Sequence, residues 1–368
     1  MSDQYLTAVS EADAVEELHQ LGCTDGLPVI VPTPERVDRA VLATGLGAAL
    51  SLGALGPNLG DATVEKVATA AVMAGCLPDY LPAVVAAVQA VADPAFDLTE
   101  MQATTHSTAP FIIVNGPARS AMGVASGYGA LGPGFRANAS IGRALRLAMI
   151  NIGGARPGEA DMALLGHPGK FTYCLGELEE ASPWEPLHAS RGFTPDSSAV
   201  TVVGAEGPHS VIAVADRADD PGGERILDAV AEGFASRITN NAILRGGAGV
   251  VIINPDHAAV LGEAGLSRAD VQQAIVDRAV NTRGDLAARA PAFGGGGDPD
   301  DLVPAFFDPA DVLVLVAGGP GLYSVIMPTW CAGPNRNRAV SMAIELDQAC
   351  AVPFAVDAAQ PTAVGSGT

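Results

Sequence analysis

Four short apolar runs, each closed by a turn that contains proline, constrain the fold of this chain more than any other feature: "PFIIVNGP" (110–117), "AVTVVGAEGP" (199–208), "GVVIINP" (249–255) and "VLVLVAGGP" (312–320). Each has strand length, is rich in β-branched residues and lacks a polar/apolar alternation, which is the pattern of a strand covered on both faces. Segments of helical spacing surround them, at 10–22, 61–76, 81–92, 223–237 and 268–279, and "VIVPTPERV" (29–37) leads into a further helix with Pro34 near its first turn. On the 61–76 helix either Asp61 or Thr63 can serve as the cap. Buried strands with Gly/Pro turns, alternating with helices, predict an α/β fold.

The second and fourth runs share a tail, "GPHSVI" (207–212) against "GPGLYSVI" (319–326), which suggests duplicated α/β units although the spacing is too uneven for a regular repeat. The proline-rich stretch 182–198 has neither period and marks a boundary. It divides the chain into an N-terminal α/β domain (1–190) and a C-terminal α/β domain (191–357), and a disordered tail is expected at 358–368.

The formal charge of −21 repels phosphate backbones and anionic bilayers, so no nucleic-acid or membrane partner is expected. No run approaches the roughly 18 apolar residues of a membrane span. Cys23, Cys76, Cys174, Cys331 and Cys350 are scattered without C-x-x-C pairs and read as reduced thiols of a cytoplasmic protein. An Ala/Val-rich chain with 48% hydrophobic residues is expected to leave apolar surface for a homo-oligomer. Only two of the twenty basic residues are lysines, Lys66 and Lys170, and both fall inside motif-like segments.

The segment "GYGALGPGFRANASIGRALRL" (127–147) contains G-x-G-x-x-G, yet the preceding strand ends near Val114, thirteen residues before Gly127, where a dinucleotide fingerprint needs the glycine at the strand end. No Walker loop is present either, and no cofactor is expected. The turn "GPG" feeds a helix bearing Arg136, Asn138 and Arg143, a combination suited to holding a carboxylate or phosphate. The competing reading is a capped helix whose arginines pair with the chain's own carboxylates.

"GHPGKFTYCLGELEE" (166–180) gathers His167, Lys170, Cys174, Glu177, Glu179 and Glu180. If "FTYC" is a strand, Lys170 and Cys174 point to one side, and Lys170 can act as a base once burial lowers its pKa, with Cys174 as nucleophile and Glu177 as a proton-transfer group. The competing reading is a glycine turn with solvated carboxylates. His106, in "QATTHSTAPF" (102–111), precedes a strand and His209 follows one, positions from which loops deliver side chains to a site. Cys331, in a Pro/Gly turn before Arg336 and Arg338, is the thiol best placed for a lowered pKa. Cys76, at a helix C-terminus, reads as structural. The absence of H-x-x-x-H, H-E-x-x-H and G-x-S-x-G spacings argues against a sequence-local metal site and against a hydrolase elbow.

At "TDGLPVIVPTPERV", "VEKVATAAVMAGCLPDYLP", "GYGALGPGFRANASIGRALRL" and "GHPGKFTYCLGELEEASPWEPLH" the chain resembles an uncharacterised bacterial family associated with redox proteins of the UGSC (seleno)protein type. The similarity covers residues 24 to about 193. No U-G-S-C or C-G-S-C segment occurs here, so a selenol-type centre carries over to none of these residues, and the resemblance implies at most a UGSC-type redox protein as a partner. The expectation from the residues is an enzyme acting on a small, carboxylate-bearing metabolite by lyase or hydrolase chemistry at a C–N or C–S bond. Arg136, Asn138, Arg143 and His209 would bind, Lys170, His106 and Glu177 would transfer protons, and Cys174 or Cys331 would be the nucleophile. The alternatives are a non-catalytic partner subunit of a thiol or selenol redox enzyme, and a small-molecule binding protein.

Overall fold

The computed structural model describes residues 6–214, 218–293 and 295–345; Cys350 and the expected tail at 358–368 lie outside the described residues. The chain begins with α1 (Glu11–Gln20), α2 (Pro34–Leu42), the hairpin β1 (Ser51–Leu55) and β2 (Gly60–Thr63), then α3 (Val64–Ala74), α4 (Leu81–Ala92) and α5 (Leu98–Ala103). Side-chain oxygens of Ser10, Thr33 and Thr63 accept from the first free N–H groups of α1, α2 and α3, so Thr63 rather than Asp61 caps the third helix. A first α/β unit follows, β3 (Ala109–Asn115), α6 (Pro117–Ala121), α7 (Arg136–Asn151), β4 (Cys174–Gly176), α8 (Leu187–Ser190), β5 (Ala199–Ala205) and β6 (His209–Ile212). A second runs through α9 (Glu224–Ala235), α10 (Asn240–Ile243), β7 (Gly249–Ile253), α11 (Pro255–Glu263), α12 (Arg268–Arg278), β8 (Val280–Thr282), α13 (Arg283–Arg289), β9 (Leu302–Pro304), β10 (Val312–Val316), β11 (Tyr323–Met327) and β12 (Val340–Ala343).

The apolar runs become buried strands of two mixed four-stranded sheets, ordered β12-β5-β3-β4 and β10-β7-β11-β6. Because side chains alternate along a strand, each run feeds two different cores. Phe111 and Ile113 of β3 meet Val250, Ile252, Leu313 and Leu315 in a core between the sheets. Ile112 and Val114 face the helical core of α3, α4 and α7, while Val251, Ile253, Val312 and Val314 face that of α9, α11 and α12. The result is a four-layer arrangement, helices, sheet, sheet, helices, which explains why these runs carry no polar alternation.

The two sheets repeat one pattern. A central strand (β3 or β7) is parallel to one neighbour (β4 or β10) and antiparallel to the other (β5 or β11), beyond which lies an edge strand, β12 or β6. The helix before each central strand, α4 or α9, packs on the antiparallel side, and the long helix after it, α7 or α12, packs on the parallel strand. The last strands are exchanged, since β6 follows β5 in sequence but pairs in the second sheet, and β12 follows β11 but pairs in the first. The matching tails "GPHSVI" and "GPGLYSVI" therefore do not mark equivalent strands; they are β6 and β11, antiparallel neighbours with Ser210 opposite Val325.

A division at 190/191 does not follow the sheets. Strand β5 lies beyond it yet pairs with β3 from Ala109 opposite Ala205 to Asn115 opposite Ala199. Composition located an irregular segment at 182–198, but not which strands its flanks would join. Among the described residues no single helix is long and apolar enough to cross a membrane.

Candidate functional site

The glycine-rich segment before α7 is a tight turn docked against the other half of the molecule. Asn138 holds it, its Oδ1 accepting from Ala125 N (2.8 Å) and its Nδ2 donating to the carbonyls of Ala125 (2.9 Å) and Ala130 (3.1 Å). Tyr128 lies so close to the β10–β11 turn that a Cβ at Gly319 would sit 2.0 Å from its ring. Arg136 donates from Nε and Nη2 to the carbonyl of Gly75 (3.1 and 2.9 Å), the cap of α3. Arg143 grips Asp25 with two bonds of 2.7 and 2.8 Å and also reaches Pro28 O (2.9 Å). The expected anion site of Arg136, Asn138 and Arg143 is thus not formed, because each side chain is satisfied by its own chain. They do not converge with Lys170 and His106.

Arg146, one turn beyond Arg143 and without a motif of its own, is the arginine that meets Lys170. Asp161 sits between them, accepting from Arg146 Nη2 (2.7 Å) and from Lys170 Nζ at both oxygens (2.7 and 2.8 Å). Burial opposes ionisation of Asp161, but the Lys170 hydrogen bond and the Arg146 charge outweigh it and hold the carboxyl below its ordinary range. Burial also pushes Lys170 below the usual lysine range, with Asp161 working the other way. Lys170 belongs to a short 3-10 turn, Pro168–Lys170, and strand β4 starts only at Cys174, so the expected common side of Lys170 and Cys174 is not built. The cleft beside Lys170, Arg146 and Tyr173 holds about 10 Å³, no room for a metabolite.

On the other side of this turn His167 uses Nδ1 to accept from Gly169 N (3.1 Å), and its ring meets Tyr173 edge-on. Burial lowers its pKa, with the Ala205 carbonyl partly offsetting, so the ring is neutral near pH 7. Tyr173 donates its hydroxyl to the backbone oxygen of Glu206 (2.7 Å). His106, just before β3, places Nε2 2.9 Å from Glu206 Oε1, and its Nδ1 is buried with no partner among the described residues. These side chains come from three separate segments, joined at the start of β3 and the end of β5.

Glu206 carries this cluster to the surface. It heads a groove of about 560 Å³ that runs along β6 and beneath α9, lined by His209, Ser210, Ile212, Ala229, Glu232 and Ser236 among others. His209 is therefore in the groove wall, and among the residues lining it there is no lysine or arginine.

The remaining expected residues lie in the interior. Glu177 is fully buried, accepting from Asn115 Nδ2 (2.5 Å) and Leu187 N (2.7 Å), with Arg268 at 3.2 Å. Burial raises its carboxyl above the usual range against the pull of Arg268, and it joins the end of β4 to α12 rather than facing a ligand. Burial likewise drives the Cys174 thiol far above its ordinary value. Cys331 is pushed up to about 12, the reverse of the expected lowering, because burial outweighs the Thr329 hydrogen bond and the Arg336 charge. Arg336 is turned away, lying over the Phe307 ring and donating to Arg245 O (3.2 Å). Neither cysteine is poised as a thiolate nucleophile.

Among the described residues no group of three or more His, Cys, Asp or Glu side chains could hold a metal ion. No protein-family model, curated protein or solved structure matches the chain.

Proposed function

We propose that the protein is an enzyme of the lyase or hydrolase kind in which Glu206 exchanges protons with a substrate in the β6–α9 groove while His106, behind it, holds the carboxylate and relays the proton. The observation that carries this reading is the 2.9 Å His106–Glu206 pair, its side chains 22% and 30% exposed, at the head of a groove of metabolite size. A carboxylate backed by an imidazole can take a proton from a substrate atom and return it to a leaving group, which both classes of reaction require.

The groove narrows the substrate. A carboxylate-bearing ligand was expected from Arg136 and Arg143, which are engaged elsewhere. Glu206 and Glu232 in the groove instead favour a neutral or positively charged group. The test is a turnover screen against amide, ester and C–N or C–S lyase substrates, with variants that keep the side-chain shape. Glu206→Gln is expected to lower kcat by roughly 10²–10⁴-fold, the usual weight of a positioned acid or base. His106→Gln is expected to lower it less, because it removes the partner behind the carboxylate and not the carboxylate itself. Full turnover in both variants, each with an unchanged melting temperature, would sink the proposal.

A further inference from the structure

The β6 edge of the groove combines three features. First, among the described residues β6 pairs only with β11, and no hydrogen bond between described residues reaches it from the other side. Ala213 N donates to Leu322 O (3.1 Å), so by the alternation of an antiparallel ladder Val211 and His209 also spend their groups on β11, while Ser210 and Ile212 turn N–H and C=O outward. Second, the edge lacks the lysine that commonly blunts such strands, and its surroundings are apolar, with Ile212, Leu322, Tyr323 and Ile238 exposed. Third, Ala229 and Gly233 of α9 and its C-cap Ser236 give the groove a wall of small residues, with Gly233 packed so closely on Ile326 that a Cβ there would stand 2.4 Å away.

The other half of the molecule shows what covering looks like. Its counterpart helix α4 is buried almost throughout, with the β1–β2 hairpin laid against its end so closely that a Cβ at Gly53 would stand 2.7 Å from Ala92. Helix α9 meets the β8–β9 pair at its end, where Asn281 Nδ2 donates to Ala235 O (2.7 Å), but Glu224, Arg225, Asp228 and Glu232 on it are exposed.

We infer that the groove takes its ligand as an added strand: an extended peptide segment, apolar at alternate positions and bearing a basic side chain that meets Glu206 and Glu232. Main-chain pairing to Ser210 and Ile212 supplies the register, and the acidic residues select the charge. A second copy of this chain is disfavoured as occupant, since it would bring another net charge of −21 and another Glu206 and Glu232 to the same face. The inference rests on reading this groove as the substrate site, and it names the substrate class.

The experiment measures fluorescence anisotropy of two labelled hexapeptides, one alternating arginine with valine and one alternating glutamate with valine, on the full chain. The arginine peptide is expected to bind, more weakly as salt rises, and the glutamate peptide is not. Proline is tolerated where an edge-strand N–H faces outward, so Ser210→Pro should keep the melting temperature while weakening binding by about tenfold or more, the loss of one or two strand hydrogen bonds. Glu232→Gln should weaken it less and shallow the salt dependence. Equal binding of both peptides overturns the basic ligand class, and equal binding by wild type and Ser210→Pro overturns the added-strand mode. So does an oligomer, seen by sedimentation, that Ser210→Pro dissociates while neither form binds peptide; that result assigns the edge to a second copy. Peptide binding that Glu206→Gln leaves uncleaved and unaltered in turnover would remove the enzymatic reading alone. Glu206-dependent turnover of a small molecule without peptide binding would remove this inference alone.

Discussion

Asp161 shows how much of the chemistry at single residues here is internal. Its carboxylate, with a side chain only 5% exposed, is shared by Arg146 and Lys170. Removing its charge leaves two cations in a half-buried cluster, and breaking such a pair typically costs about 3–5 kcal/mol. Asp161→Asn is therefore expected to destabilise the fold by that order. The sign with pH follows from the lowered carboxyl: the contribution is complete above the unfolded value of 3.8 and is lost as pH falls through the lower folded value. Urea titrations of both proteins should show a difference that is constant near neutrality and shrinks only in acid below about pH 4. A difference that vanished already at pH 6 would contradict the assignment. His167 acts in the same direction but higher, because its depressed pKa makes stability fall as pH drops below 6.5.

At the scale of elements, α7 organises the first half by what its arginines hold. Arg136 closes the C-terminus of α3, and Arg143 fastens the 24–28 segment through Asp25, whose side chain is 3% exposed. These are helix-end and buried-pair roles, sufficient to account for both residues without a ligand. Arg143→Met should cost about 3–5 kcal/mol because Asp25 is left charged and buried, and adding Asp25→Leu should restore part of it. A double-mutant cycle measured by chemical denaturation checks this. If the two substitutions were simply additive, the pair would not be the reason for the loss. Helix α7 was legible, and so were α3, α4, α9 and α12; Thr63 and Ser267 cap α3 and α12 and Pro82 opens α4, whereas α7 and α9 have no side-chain cap and were legible from length and apolar content alone. The short strands β4, β6 and β12 were not legible, since three or four residues carry too little pattern to distinguish a strand from a turn.

For the molecule as a whole, the exchanged strands make the halves interdependent. The piece 1–190 lacks β5 and β12 of the first four-stranded sheet, and the piece 191–368 holds all four strands β6, β7, β10 and β11 of the second but separates the pair β5 and β12 from β3. Burying one valine or isoleucine is worth roughly 1.5–3 kcal/mol, and the core between the sheets draws such residues from both sides of the cut. Expressed separately, the two pieces should lack the sharp thermal transition of the intact chain, and mixed or co-expressed they should recover it. Calorimetry decides the matter, and a cooperative transition in the isolated 1–190 piece would refute the interdependence.

The sequence by itself determined the fold class. Four apolar runs that need cover on both faces, flanked by amphipathic helices, have few solutions other than an α/β layered fold, and local physics of period, caps and turns is enough to read them. It also brought His106 and His209 to notice as residues at the ends of strands. What only the tertiary structure decided was pairing: that the repeat exchanges its last strands, that Arg136 and Arg143 answer Gly75 and Asp25, that burial raises the Cys331 thiol despite Arg336, and that Glu206 stands in front of His106. Hydrogen-bond partners 61 to 118 residues apart, and the loss of solvent that shifts a pKa, are properties of the assembled layers and leave no local trace in the order of residues.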